Sequence, residues 1–434
     1  MRILWYIGLP AAVAAIVALV LALTAGGSSY DPPERLSIGL EQLELPTYER
    51  RIAPVVVDDR DGVMVLDTLH FNQWFAGELE PLLSKVTSRG YDINFFGDRQ
   101  ASRFLSDEQR VAELDAGLRG ADSLLMVAPF FEYTTEEAAV VQRFVRKGGR
   151  VVLVGDPTRF RNVNQLATVF GLNFEADYLY NVVEHDANFR NVVFRDFADS
   201  QLTQGLDEIV LYTSGSITGG TEPLVRADGN TKSSTREAVT VLSPMVIAEG
   251  GRLVALNDSS FIEAPYDRVL DNDQLLSNLA DYLTTSERVF DIDDVPGMLS
   301  DDVVVTALDS TTIDSATSVA GFLSTEGRRV PLETIQRPTV DTVFVGLYED
   351  AAAVDQHLRA VDVVLSDGVI RSPGTPPMSQ FGSGLLALDS RGGRNVLVVL
   401  ASTEFELRIL VSLLERDSFR LGLVSPTLGL YDFS

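Results

Sequence analysis

Gly148-Gly149-Arg150-Val151-Val152-Leu153-Val154-Gly155-Asp156-Pro157 is the stretch that decides how this chain is read. The paired glycines stop a helix, the apolar run makes a buried strand, and Gly-Asp-Pro makes a sharp turn. Just upstream, Thr134-Thr135-Glu136-Glu137 supplies a capping residue and early acids, so a helix opens there and runs to Lys147. Helix, strand and turn in this order are the repeating unit of an open α/β sheet. The turn falls on the edge where such sheets bind ligands.

Working outward, the same unit recurs. Val63-Met64-Val65-Leu66-Asp67 reads as a buried strand. Residues 75–89 have helical spacing through Phe75, Leu79, Leu82, Leu83 and Val86, and Gly90 ends them. Residues 91–96 form a second strand, Ser106-Asp107-Glu108 opens another helix, and 123–128 form a third strand. This β-α-β-α-β-α-β alternation predicts a doubly wound, mostly parallel sheet with helices on both faces. After Pro157 the pattern loosens into a short helix at 164–170 and irregular strands to about residue 240. Gly250-Gly251-Arg252-Leu253-Val254-Ala255-Leu256-Asn257-Asp258 then repeats the logic of the first stretch. A helix over 271–284, with Leu275, Leu276, Leu279 and Leu283 on one side, closes the domain.

Several of these segments carry a family resemblance. They are Val65-Leu66-Asp67-Thr68-Leu69-His70-Phe71-Asn72, the helix end at 82–90 with its following strand, Gly148 to Pro157, Asn164-Gln165-Leu166, Phe170-Gly171, and the helix from Asp271-Asn272-Asp273 to Asp281-Tyr282-Leu283. Together, over residues 60–285, they resemble bacterial membrane-anchored proteins of the "domain of unknown function 4350" type. Those are akin to the soluble region of gliding-motility-type ABC-transporter accessory proteins (GldG-like). The resemblance implies a flavodoxin-like sheet related to class I glutamine amidotransferases, usually without their catalytic residues.

The remainder divides around this domain, which is expected to span 55–288. Residues 289–300 read as an acidic linker, and 289–434 as a second, smaller α/β domain. Its expected strands are 303–308, 342–346, 361–365, 384–389 and 395–401. Its helices are 315–323, 350–358 and 403–415, and an apolar tail over 421–433 docks on it or on a partner. At the other end, residues 3–25 are an almost unbroken apolar run, long enough as a helix to cross a bilayer. Trp5 and Tyr6 suit the interface, and Arg2 favours an amino terminus on the cytoplasmic side. The expectation is a transmembrane anchor over 1–27, a stalk over 28–54 and an extracytoplasmic bulk. The rival is a signal peptide cleaved near Ser28.

Composition narrows the chemistry. A formal net charge of −27 argues against nucleic acid, which needs a basic face. There is no Cys, so disulfides, thiolate zinc sites and a cysteine nucleophile are excluded. In an amidotransferase that nucleophile stands on the turn that here reads Gly155-Asp156-Pro157. The three histidines, His70, His185 and His357, are far apart in sequence. No dinucleotide fingerprint, Walker lysine or nucleophile elbow is present, so no cofactor is expected.

What remains is a set of polar residues after the strands: Asp67, His70, Asp98, Glu132, Asp156 and Asp258. In a doubly wound sheet these converge on one edge, where carboxylates with one imidazole suit an oxygen-liganded cation or a small ligand. The plainer reading is that they start loops and cap helices. The sequence therefore points first to a non-catalytic, single-pass membrane protein acting as an accessory subunit of an envelope or transporter-like complex. The alternatives are a carboxylate- or metal-dependent hydrolase using Asp67, His70 and Asp156, and a small-ligand sensor at the sheet edge.

Overall fold

The computed structural model describes residues 12–20, 48–159, 162–220, 222–237, 241–324, 329–333 and 340–434. Residues 12–20 are helical and belong to one unit, Met1–Thr47; Tyr48–Ser434 form a second compact unit. Most of the expected anchor and stalk lies outside the described residues. Among the described residues no helix is long and apolar enough to cross a membrane.

The first sheet grows from β1 (Val63–Asp67), β2 (Asp92–Phe96), β3 (Ser123–Val127) and β4 (Arg150–Gly155). Between them lie α1 (Ala76–Thr87), α2 (Asp107–Leu118) and α3 (Thr135–Arg146). A short α4 (Asn164–Thr168) follows, then β5 (Asp196–Phe197), β6 (Glu222–Arg226), β7 (Met245–Ala248), β8 (Leu253–Asn257) and α5 (Asn272–Leu283). The order across the sheet is β2-β1-β3-β4-β8-β7-β6-β5. Its first five members are parallel and the last three antiparallel. Gly-Gly-Arg stretches thus lead into adjacent strands, with Leu253 opposite Val151 and Asn257 opposite Gly155.

Alternation along each strand sends side chains to two cores. Met64, Leu66, Leu125, Val127, Val152 and Val154 meet Leu79 and Leu82 of α1 and Leu275 and Leu279 of α5. Val65, Leu124, Met126, Val151 and Leu153 meet Leu114 of α2 and Val141, Phe144 and Val145 of α3. Helices on both faces make the sheet doubly wound, as its periodicity predicts.

The second sheet contains β9 (Val304–Ala307), β10 (Leu332–Glu333), β11 (Thr342–Leu347), β12 (Ser383–Asp389), β13 (Val396–Ala401), β14 (Leu423–Ser425) and β15 (Leu428–Asp432). Its order is β10-β9-β11-β13-β12-β15-β14. Helices α6 (Ile313–Leu323) and α8 (Glu404–Glu415) cover one face, and α7 (Asp355–Ala360) the other. The apolar tail docks on its own sheet, since β15 pairs with β12. The strand expected at 361–365 does not join this sheet. Val364–Ser366 instead pairs in a hairpin with Val369–Arg371. The reason is the intervening Asp367-Gly368, both with positive φ, a pair suited to the tightest hairpin turn.

The acidic segment after residue 288 is packed, not a free tether. Ile292, Val295 and Met298 are buried in the second core. Asp291 and Asp294 receive Lys147 at 2.9 and 3.1 Å, and Arg288 reaches Asp294 at 2.9 Å. Arg119 and Arg420 reinforce the junction through Asp417 at 2.6 Å and Asp115 at 2.9 Å.

Candidate functional site

The chain passes from β1 to β2 on one side and then crosses to β3 on the other. The C-terminal ends of β1 and β3 are therefore the switch point of the sheet, where doubly wound folds place ligands. Asp67 ends β1 and is wholly buried. It accepts the Leu69 amide at 2.9 Å and the Tyr133 hydroxyl, and its Oδ2 lies 2.9 Å from Nδ1 of His70. His70 is equally buried, and its ring stacks on Tyr133 with centroids 3.6 Å apart. Its second nitrogen lies 3.3 Å from Oε1 of Glu137, a charge contact instead of a well-directed hydrogen bond.

Glu137, like Tyr133, belongs to this group without being among the expected strand-end residues. The signal was present in Thr134-Thr135-Glu136-Glu137, a capping box. The Glu137 amide donates to Thr134 Oγ1 at 3.1 Å, and Glu137 Oε2 accepts the Thr134 amide at 2.7 Å. That bond fixes the carboxylate at the head of α3. Its other oxygen is then turned to His70 and to Arg110, whose Nε lies 3.1 Å away.

Electrostatics follow from the packing. Burial pulls the His70 pKa down, but the Asp67 carboxylate, with help from Glu137, outweighs it and raises it to about 9. Burial pushes Asp67 upward, yet His70 and the Tyr133 hydroxyl hold it below the usual carboxylate range. Burial, with the Asp67 charge beside it, raises Tyr133 well above its ordinary value. At neutral pH the group is an imidazolium between two carboxylates, with a neutral phenol on its face. A protonated histidine is no general base. No member of the set is a free nucleophile.

Asp156 and Asp258 form a separate pair. Asp156, after β4, accepts Thr158 Oγ1 at 2.5 Å and its amide at 2.8 Å, and Ser259 Oγ at 2.6 Å. Asp258, after β8, accepts the amides of Tyr212 at 2.6 Å and Ser260 at 2.8 Å. Burial first, and then the charge of Asp156, raises Asp258 well above the usual carboxylate range. The repeated Gly-Gly-Arg-strand-Asp logic thus brings two carboxylates together at adjacent strand ends. Their oxygens are taken up by turn amides and hydroxyls.

The other two expected residues lie elsewhere. Asp98 is exposed and accepts the amides of Gln100 and Ala101 at 2.7 and 2.9 Å, a turn cap. Glu132 is exposed on the loop before α3, while its buried neighbour Tyr133 takes the place beside Asp67. The expected six-residue edge therefore resolves into two buried groups and two surface acids. Among the described residues no group of three or more His, Asp or Glu is arranged to hold a metal ion.

No family model matches this chain, and no curated protein matches it. Among solved structures it is similar to the mmIFT52 N-terminal domain, at 14% identity and a TM-score of 0.40, over 52% of this chain and 100% of that one. It is also similar to a ThuA-like protein from Bacteroides uniformis ATCC 8492, at 11% identity and a TM-score of 0.31, over 55% and 97% of the two chains. A ThuA-like protein from Parabacteroides merdae ATCC 43184 gives 12% identity and a TM-score of 0.32, over 54% and 94%.

Proposed function

We propose that this protein is a non-catalytic, membrane-anchored binding protein with an extracytoplasmic bulk, an accessory subunit of an envelope or transporter-like complex. In this reading its first sheet is an amidotransferase-like sheet of the "domain of unknown function 4350", GldG-like kind, without the catalytic residues. One observation carries the reading: the polar residues at the switch point are spent on one another. Asp67, His70 and Glu137 are wholly buried and paired with one another, Glu137 also with Arg110. Asp156 is saturated by Thr158 and Ser259. A working hydrolase instead leaves its base or nucleophile facing a space that substrate can enter.

The test uses the full-length chain purified from membranes in mild detergent. It is assayed on amide, ester and glycosidic substrates and analysed for bound metal, alongside Asp156→Asn. The expected result is no turnover and no stoichiometric metal in either protein. Enzyme-like turnover that Asp156→Asn abolishes would overturn the reading. The anchor is checked by intact mass, and a mature chain starting near Ser28 would remove it.

A further inference from the structure

We propose that the β2 edge of the first sheet, with the aromatic lip beside it, docks an extended acidic segment of a partner protein. This rests on the binding reading above and names the surface and the chemistry of its partner.

The edge is open. β2 is the outermost strand, and among the described residues its one ladder partner is β1. An unpaired strand edge presents backbone donors and acceptors to any chain that can lie along it. Solvent reaches Asp92 and Asn94 in the first part of the strand and Phe95 near its end, the end that leads to Arg99 and Arg103. Phe95 shares its face with Ile93, which packs under α1, yet Phe95 is 55% exposed. Phe75 at the start of α1 and Phe104 just beyond β2 are 72% and 87% exposed.

Beside this edge stands a strained aromatic. Phe71 has φ +51°, a left-handed conformation that a bulky residue adopts only when its surroundings hold it there. Its ring packs against Phe130 and Phe131, with centroids 5.7 and 6.1 Å away. The guanidinium of Arg103 lies 3.9 Å over that ring, and that of Arg99 5.2 Å. Arg99 donates to the Trp74 carbonyl at 2.8 Å. Among the described residues neither arginine has a carboxylate partner, unlike Arg51, Arg60, Arg89, Arg110 and Arg119 of the same sheet's surroundings.

Arginine and aromatic side chains together are what interface centres are made of. The charge pattern selects the occupant. Two unneutralised cations on a chain of net charge −27 favour a short acidic segment. A second copy of this chain, or a long polyanion, meets the repulsion of the whole acidic surface. Laid along β2, the segment satisfies the open backbone, sets apolar side chains on Phe95 and Phe104, and brings carboxylates to Arg99 and Arg103.

The probe is a fluorescein-labelled peptide of alternating glutamate and valine, about eight residues long, enough to match a strand. Its anisotropy is followed with the full-length chain in detergent, against the same peptide with lysine for glutamate. The acidic peptide is expected to bind at least ~10-fold tighter than the lysine one and to weaken with salt. Arg103→Glu and Phe104→Ser, both at exposed positions, should each weaken it ~10-fold, while Arg408→Glu on the second sheet's helix leaves it unchanged. Equal binding of the two peptides, or binding untouched by Arg103→Glu in a protein of unchanged melting temperature, overturns the proposal. So does a concentration-dependent dimer that Arg103→Glu dissolves, because the occupant is then a second copy. Turnover in the assays above would sink the non-catalytic reading and leave these binding outcomes as they stand, so the two failures are separable.

Discussion

Nδ1 of His70 lies 2.9 Å from Oδ2 of Asp67, three residues earlier, and both side chains are wholly shielded from solvent. With Glu137 on the other side of the ring, the imidazole is held as a cation, its pKa raised from 6.5 to about 9. Because the folded value is the higher one, this contribution to stability is fully present below about pH 6.5. It is lost as pH rises through about 9. The loss is on the order of 3 kcal/mol. Urea midpoints should therefore fall between about pH 6 and pH 9.5 in the natural protein, and fall much less in His70→Gln. Equal pH slopes in the two proteins would mean that His70 is not charged in the folded state.

The junction between the two sheets makes a second prediction. Asp294 is the carboxylate shared by Lys147 and Arg288, and both Asp294 and Arg288 are almost fully buried. Asp294→Ala leaves two cations facing one another with less to neutralise them, which costs about 3–5 kcal/mol for a buried pair broken on one side. Calorimetry should show one unfolding transition in the natural protein and two in Asp294→Ala, as each sheet keeps its own core. An unchanged, single transition in Asp294→Ala would show that the ion cluster does not couple the sheets.

Gly148 gives the third. Its φ is +96°, and a Cβ there is driven into the Glu287 carbonyl. Gly171 also has positive φ, +70°, but open space where a Cβ would go. Gly148→Ala should therefore cost about 3 kcal/mol and Gly171→Ala about 1 kcal/mol, the second being backbone strain alone. Chemical denaturation of the pair checks this, and comparable losses would show that the approach of residue 287 is relieved by a shift of the chain.

The local rules fixed more of the fold than of the site. Capping residues at Ser106 and Thr134, glycine stops at Gly90 and Gly148, and apolar runs at β1, β3, β4 and β8 place each element, because each depends on neighbours in sequence. The Asp367-Gly368 turn was written in the sequence too, in residues whose turn chemistry outranks the apolar run before them.

Which polar residues meet is a different matter. Asp67, His70, Asp98, Glu132, Asp156 and Asp258 all follow strands and look equivalent in one dimension. Only strand order puts β1 beside β3, so that Tyr133 and Glu137 close on His70. Only the pairing of β4 with β8 sets Asp156 against Ser259 and Asp258. The sequence alone determined the absence of a thiol nucleophile, the acidic charge and the order of helices and strands, since composition and short-range periodicity need no partner. Tertiary structure decided which carboxylates are buried and neutralised and which arginines are left unpaired. Those depend on residues far apart in the chain arriving within hydrogen-bond distance.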